Sequence, residues 1–294
     1  MDLEKLQVVK NRKGFIAALD QSGGSSSKTL AQYGVKEDTY KTEEEMFNLI
    51  HEMRKRVFTS PSFTNEKILG SILFYKTMNS KVEGQFTADY LWNNKKIVSF
   101  LKIDKGLKDE EDNCKLMKGI PDLEEQCLLA KERNIFGTKM RSVIYDANEK
   151  GIQRVVDQQF SIAKKICHLG LVPIIEPEVD INCPNKEKAE EILKRLIIEK
   201  LNNWNKEDLI MFKFTIPTKE NLYLDLYKYE FVVRIVALSG GYTTDVACEL
   251  LKKNKKMIAS FSRALLQDLR VNQTDKEFNK ILSDAIDKIY EASI

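Results

Sequence analysis

Short apolar runs alternate with longer stretches of helical patterning along the whole chain. Eight runs read as strands, at 15–19, 71–75, 97–103, 136–144, 171–176, 210–214, 232–238 and 257–261. The intervals between them are long enough for crossover helices, which points to βα units in a parallel sheet. Helical stripes cover 42–56, 151–170 and 186–201. Gly170 stands where a helix C-terminus is expected. In 186–201 the apolar positions are Ala189, Ile192, Leu193, Leu196 and Ile197. The clearest helix is the last. Phe278, Ile281, Leu282, Ala285, Ile286, Ile289 and Tyr290 recur at helical spacing, and Thr274 with Glu277 makes a capping box before them. Eight strands with helices between them predict an α/β fold, a (β/α)8 TIM barrel, as one domain over 1–294, with function at the C-terminal strand ends. A doubly wound sheet is the alternative. Neither phosphate-binding glycine motif, GxGxxG or GxxxxGK[ST], occurs. The charged stretch 104–112 reads as a solvated loop after the third strand.

Composition narrows the chemistry. The net charge of +3 over 294 residues supports neither a nucleic-acid partner nor a polybasic membrane anchor. No run approaches the ~18 apolar residues of a membrane span, and residues 1–14 lack a signal-peptide core. Five cysteines, an odd number without a CxxC pair, read as reduced thiols of a cytoplasmic protein. His51 and His168 are the two histidines, both in helical patterning. Imidazole-based metal sites and histidine general bases are thereby disfavoured, and no metal or cofactor is expected. Lysines and carboxylates must carry any catalysis.

Lys213 lies inside the apolar run 210–214. Burial disfavours an ammonium, so such a lysine is either paired with a carboxylate or partly neutral and nucleophilic. The other strand ends weigh on that choice. The first ends in Asp20, followed by Gln21-Ser22-Gly23-Gly24-Ser25; the third carries Lys102 and Asp104; the fourth Lys139 and Arg141; the fifth Glu176-Pro177-Glu178. The seventh ends in Ser239-Gly240-Gly241, and Ser262-Arg263 follow the eighth. Residues at i and i+2 of a strand share a face, so each charged pair can point into one pocket. Taken singly, the Asp20 segment could be a helix cap, Ser239-Gly240-Gly241 a turn or a backbone nest for phosphate, and the cations mere partners of the carboxylates. A surplus of cations over local carboxylates suits an anionic substrate.

These pieces, in this order, resemble class I fructose-bisphosphate aldolase. The matching segments run from Gly14 to Arg263: 18–25, 72–74, 101–106, 139–141, 172–178, 212–213, 238–241 and 261–265. The resemblance implies a metal-independent lyase that splits fructose 1,6-bisphosphate reversibly into dihydroxyacetone phosphate and glyceraldehyde 3-phosphate. It implies that Lys213 is the Schiff-base lysine, Glu176 the acid/base, Asp20 the carboxylate beside the cleaved bond and Lys139 the neighbouring lysine. Ser239, Gly240 and Arg263 match the ketose 1-phosphate site. Ser22, Ser25, Lys102 and Arg141 match groups near the other phosphate, and Glu178 a supporting carboxylate. Burial and Lys139 together are expected to favour the free amine of Lys213. The chain departs from the better-known animal pattern at Gln21 (usually acidic), Met140 (commonly Trp), Phe214 (Pro) and Ser262 (Gly). It also ends without the long tail and terminal tyrosine of animal enzymes, so turnover is expected to need no such tail. A relaxed-specificity aldolase that also accepts tagatose 1,6-bisphosphate, and an idle barrel used for binding, are the alternatives. The oligomeric state is left open.

Overall fold

The computed structural model describes residues 2–22 and 24–294, with the backbone alone for residues 24 and 25. The eight barrel strands are β1 (Phe15–Leu19), β2 (Ile68–Leu73), β3 (Val98–Lys102), β4 (Gly137–Ile144), β5 (Val172–Val179), β6 (Ile210–Thr215), β7 (Val232–Leu238) and β8 (Met257–Ala259). Each pairs in parallel with the next. The ring closes where Ala18 on β1 donates to the carbonyl of Phe261, just past β8, at 3.1 Å. This is the expected (β/α)8 barrel.

Two strands differ by three residues at an end from the pattern-based reading. β2 begins at Ile68 and ends at Leu73, because Tyr75 opens a short helix, Tyr75–Asn79. β5 runs on through Glu176-Pro177-Glu178 to Val179, with Pro177 in register with Ser142. The segment 104–112 is less open than expected. Asp104 is buried, Glu111 and Asp112 pair with Arg154, and the loop feeds a two-residue strand, Cys114–Lys115, antiparallel to the end of β4. The two-residue strands Lys81–Val82 and Gln85–Phe86 form a hairpin that the apolar pattern did not mark. Helices Glu43–Thr59, Glu149–His168, Lys186–Asn202 and Asp275–Glu291 match the predicted stripes within a few residues. Both helices Glu43–Thr59 and Asp275–Glu291 start with a full capping box. Among the described residues no helix is long and apolar enough to cross a membrane.

Strand alternation divides the core into two layers. Outward residues such as Phe15, Ala17, Leu19, Ile175, Phe212 and Phe214 pack against the helices. Inward residues, among them Ile16, Ala18, Val98, Phe100, Val172, Ile174, Met211 and Val236, fill the barrel. The ring of Phe100 needs room, and two glycines supply it. A Cβ on Gly70 would lie 3.1 Å from that ring; one on Gly137 would lie 2.9 Å from it and 2.2 Å from the Val172 carbonyl.

The first helix, Leu3–Asn11, closes one end of the barrel. Val8 and Val9 join the interior cluster. The last carbonyls of a helix lack partners within it. Here Arg234 on β7 donates to the carbonyls of Val9, Lys10 and Arg12 at 2.7–3.0 Å. With that end sealed, the C-terminal strand ends remain for a site. Gly137→Ala is expected to cost about 1–3 kcal/mol through overpacking, read as a lower denaturant midpoint. An unchanged midpoint would show that the Phe100 layer is not tightly filled.

Candidate active site

The inward rows explain how charges reach the barrel mouth. On β1 the row Ile16, Ala18 continues to Asp20; on β3, Val98 and Phe100 continue to Lys102; on β6, Met211 continues to Lys213. On β5, Val172 and Ile174 continue to Glu176 and Glu178, while β4 contributes Lys139 and Arg141. Each row is apolar below and charged above, so the period of two that builds the core also aims the charges inward. Lys139 lies in register with Ile174, and Arg141 with Glu176. Each cation nevertheless pairs with the carboxylate two positions further along β5: Lys139 with Glu176, and Arg141 with Glu178.

Four of these groups form one buried chain of alternating charge. Asp20 Oδ2 lies 2.8 Å from Lys139 Nζ, Lys139 Nζ lies 2.9 Å from Glu176 Oε2, and Glu176 Oε1 lies 3.1 Å from Lys213 Nζ. The side chains of Lys139, Glu176 and Lys213 are 4–6% exposed, so solvent screens these pairs weakly. Burial alone would raise the Asp20 carboxyl, but Lys139 and then Lys213 override it and hold the group well below the usual carboxylate range. Burial likewise works against the Lys139 ammonium. Asp20 and then Glu176 more than offset it and hold its proton more tightly than that of an ordinary lysine. The Lys139 ammonium is shared by two carboxylates, Asp20 and Glu176, and the carboxylate that touches Lys213 is Glu176.

The remaining predicted residues surround this chain. Burial works against the Arg141 guanidinium, but Glu178 raises its pKa above the ordinary value. Lys102 Nζ turns onto Asp104, with both the carboxylate and the carbonyl at 2.8 Å. It also acts on Asp20 through space, less strongly than Lys139 and Lys213. Ser22 is half-buried in the loop after β1. The Ser25 side chain lies outside the described residues. Ser239 is buried at the end of β7, and Gly240 and Gly241 follow at φ +60° and +118°, left-handed conformations that favour glycine. Arg263 is exposed, with Nη2 3.5 Å from where a Cβ on Gly241 would stand.

Three contributors escaped the sequence reading. Gln159, fully buried in helix Glu149–His168, accepts from the Glu176 N–H at 3.0 Å. Thr215 donates to the Val179 carbonyl at 2.6 Å and ties β6 to β5 just beyond Lys213. Arg54, 1% exposed, donates to the Gln21 carbonyl at 2.6 Å, beside Asp20. A signal existed for Arg54, because it interrupts the apolar stripe Phe47, Ile50, Val57, Phe58. By contrast, the cysteines are bystanders: burial pushes the thiols of Cys114, Cys127 and Cys167 up to about 12. His51 Nε2 contacts the Lys81 carbonyl.

The pKa of Asp20 is depressed, so its pairing stabilises the fold above its ordinary value of 3.8 and is lost as pH falls below it. The pKa of Lys139 is raised, so its contribution is fully present below 10.5 and is lost as pH climbs above the raised value. Lys139→Met leaves buried carboxylates short of a partner and is expected to cost roughly 3–5 kcal/mol at neutral pH. The difference from wild type should shrink below about pH 3.8, the ordinary Asp20 value, as Asp20 takes up a proton in the variant. Unfolding curves across pH test this; a pH-independent difference would contradict the charge pairing.

A family profile described as "Glycolytic: Fructose-bisphosphate aldolase class-I" matches residues 3–216. The fructose-bisphosphate aldolase class 1 of Clostridium acetobutylicum is 57% identical over 294 residues, the whole of both chains. Among solved structures, the fructose-bisphosphate aldolase of Plasmodium falciparum, in a complex with TRAP and a small-molecule inhibitor, superposes with a TM-score of 0.76 at 20% identity, covering 98% of this chain and 92% of that one. A Corynebacterium glutamicum protein superposes with a TM-score of 0.57 at 11% identity, covering 99% and 92%. At those identities the two structures speak for the fold alone. The profile and the end-to-end relative carry the assignment: this chain belongs to the class I fructose-bisphosphate aldolase family.

Proposed function

We propose that this chain, as one (β/α)8 domain, reversibly cleaves fructose 1,6-bisphosphate to dihydroxyacetone phosphate and glyceraldehyde 3-phosphate through a Schiff base on Lys213. The observation that carries this reading is Lys213 at the end of an inward row, 3.1 Å from Glu176 and walled by apolar strands. An amine can attack a ketone only after losing its proton, and Glu176 stands where it can take it. The amine adds to the C2 carbonyl carbon and gives a carbinolamine. Glu176 then returns a proton to the departing hydroxyl, water leaves, and a protonated imine forms.

The imine is a better electron sink than the ketone. Asp20 removes the proton from the C4 hydroxyl, the C3–C4 bond breaks, and its electron pair moves into the imine to give a neutral enamine. Glyceraldehyde 3-phosphate is released. Asp20 is a weak base in the resting site because Lys139 and Lys213 hold it charged. Bond cleavage removes the imine's positive charge beside Asp20, so its proton affinity rises as it accepts the proton. Lys139 remains a cation throughout and keeps the other two side chains in place. On balance the proton that Asp20 took up is returned at C3, water adds to the resulting imine, and dihydroxyacetone phosphate and the amine are released. Ser239, Gly240 and Arg263 receive the 1-phosphate; Ser22, Ser25, Lys102 and Arg141 serve the other phosphate, with Glu178 orienting Arg141.

A coupled assay for triose phosphate release tests the proposal. Wild-type enzyme is expected to turn over at an undiminished rate in excess EDTA. Lys213→Ala is expected to lose roughly 10³-fold or more in kcat, and Glu176→Gln about 10²–10⁴-fold. A folded wild-type protein without cleavage, or a Lys213→Ala variant with normal turnover, would overturn the assignment.

A further inference from the structure

Arg54 is a buried cation that no part of the reaction above uses. Besides the Gln21 carbonyl, its guanidinium donates to Thr77 Oγ1 at 2.6 Å and to Gln21 Oε1 at 3.2 Å. On the far side of the same amide, Gln21 Nε2 donates to Ser262 Oγ. Three residues far apart in the chain thus form one relay from helix Glu43–Thr59, through the loop after β1, to the residue before Arg263.

Donor and acceptor capacity orders this relay. A guanidinium can only donate, so the Gln21 oxygen must face Arg54. The amide nitrogen then faces Ser262, and it too can only donate. Ser262 Oγ is therefore an acceptor here, and its own hydrogen is left for a different acceptor. Ser262 is half-buried and adjoins Arg263 in the chain. The Arg263 guanidinium lies over Gly241, in the left-handed turn Gly240-Gly241 at the end of β7. Ser262 thus stands one residue along the chain from the arginine that reaches that turn.

We propose that Ser262 Oγ donates a hydrogen bond directly to the substrate's 1-phosphate, and that Arg54 and Gln21 are positioning residues that direct its proton outward. The proposal rests on the function given above and adds a phosphate-binding side chain to it. It also accounts for a neutral amide at position 21. A carboxylate there would accept from both neighbours, turn the Ser262 hydroxyl inward and set a negative charge beside the phosphate.

Steady-state kinetics on fructose 1,6-bisphosphate and competitive inhibition by inorganic phosphate provide the test. A contact made equally in the bound substrate and in the transition state changes KM rather than kcat. Ser262→Ala is therefore expected to raise KM and the phosphate inhibition constant about tenfold, the loss of one hydrogen bond to a charged oxygen. Its kcat should stay within about twofold of wild type and its melting temperature should not change. Ser262→Thr, which keeps the hydroxyl, should restore most of the affinity. Gln21→Glu should raise KM in the wild-type background and by a smaller factor in Ser262→Ala. An unchanged KM in Ser262→Ala, or a fall in kcat and melting temperature with KM unmoved, would overturn the proposal while leaving the aldolase assignment intact. Failure of the wild-type protein to cleave the substrate would remove both.

Discussion

Everything at the barrel mouth depends on keeping two ammonium groups and two carboxylates together out of water. Each would be costly alone, because an unpaired buried charge loses its hydration with nothing in return. The order Asp20, Lys139, Glu176, Lys213 solves this by alternation, with every contact between opposite charges and none longer than 3.1 Å. The strands supply the geometry. Because β4, β5 and β6 lie side by side in parallel, their inward positions bring Lys139, Glu176 and Lys213 within reach of one another, and Asp20 enters from β1 across the barrel. Glu176 stands inside that chain, 2.9 Å from Lys139 Nζ and 3.1 Å from Lys213 Nζ.

The fold was largely legible because its signal is local. Apolar runs located six of the eight strands to within two residues at each end, and the stripe with its capping box located the last helix. β2 shifted because Ile68 and Leu69, outside the predicted run, belong to the strand, while Tyr75 starts a helix. The site was legible through strand ends, since residues at i and i+2 share a face whatever the rest of the chain does. The Arg54–Gln21–Ser262 relay was not. Gln21 and Ser262 are 241 positions apart, and no periodicity reports which side chains meet over that distance. The pairing of Lys102 with Asp104 was also hidden, because spacing gives a shared face but not whether two groups turn to each other or into the pocket.

The four departures from the animal pattern separate into two kinds once placed in the barrel. Met140 and Phe214 follow the inward lysines by one residue, so they point outward into the layer beneath the helices. Phe214 stacks on Tyr223 there, with ring centroids 3.9 Å apart. Such positions repack without touching the pocket. Gln21 and Ser262 are of the other kind. They touch each other at the mouth, and one side chain supplies the donor that the other accepts.

The most direct test of the account is to trap the covalent intermediate. The protein is incubated with fructose 1,6-bisphosphate and chelator, reduced with borohydride, and digested for mass spectrometry. The account predicts a three-carbon phosphate adduct on Lys213 and on no other lysine, Lys139 included. An adduct on Lys139, or none on a folded protein that consumes the substrate, would contradict it.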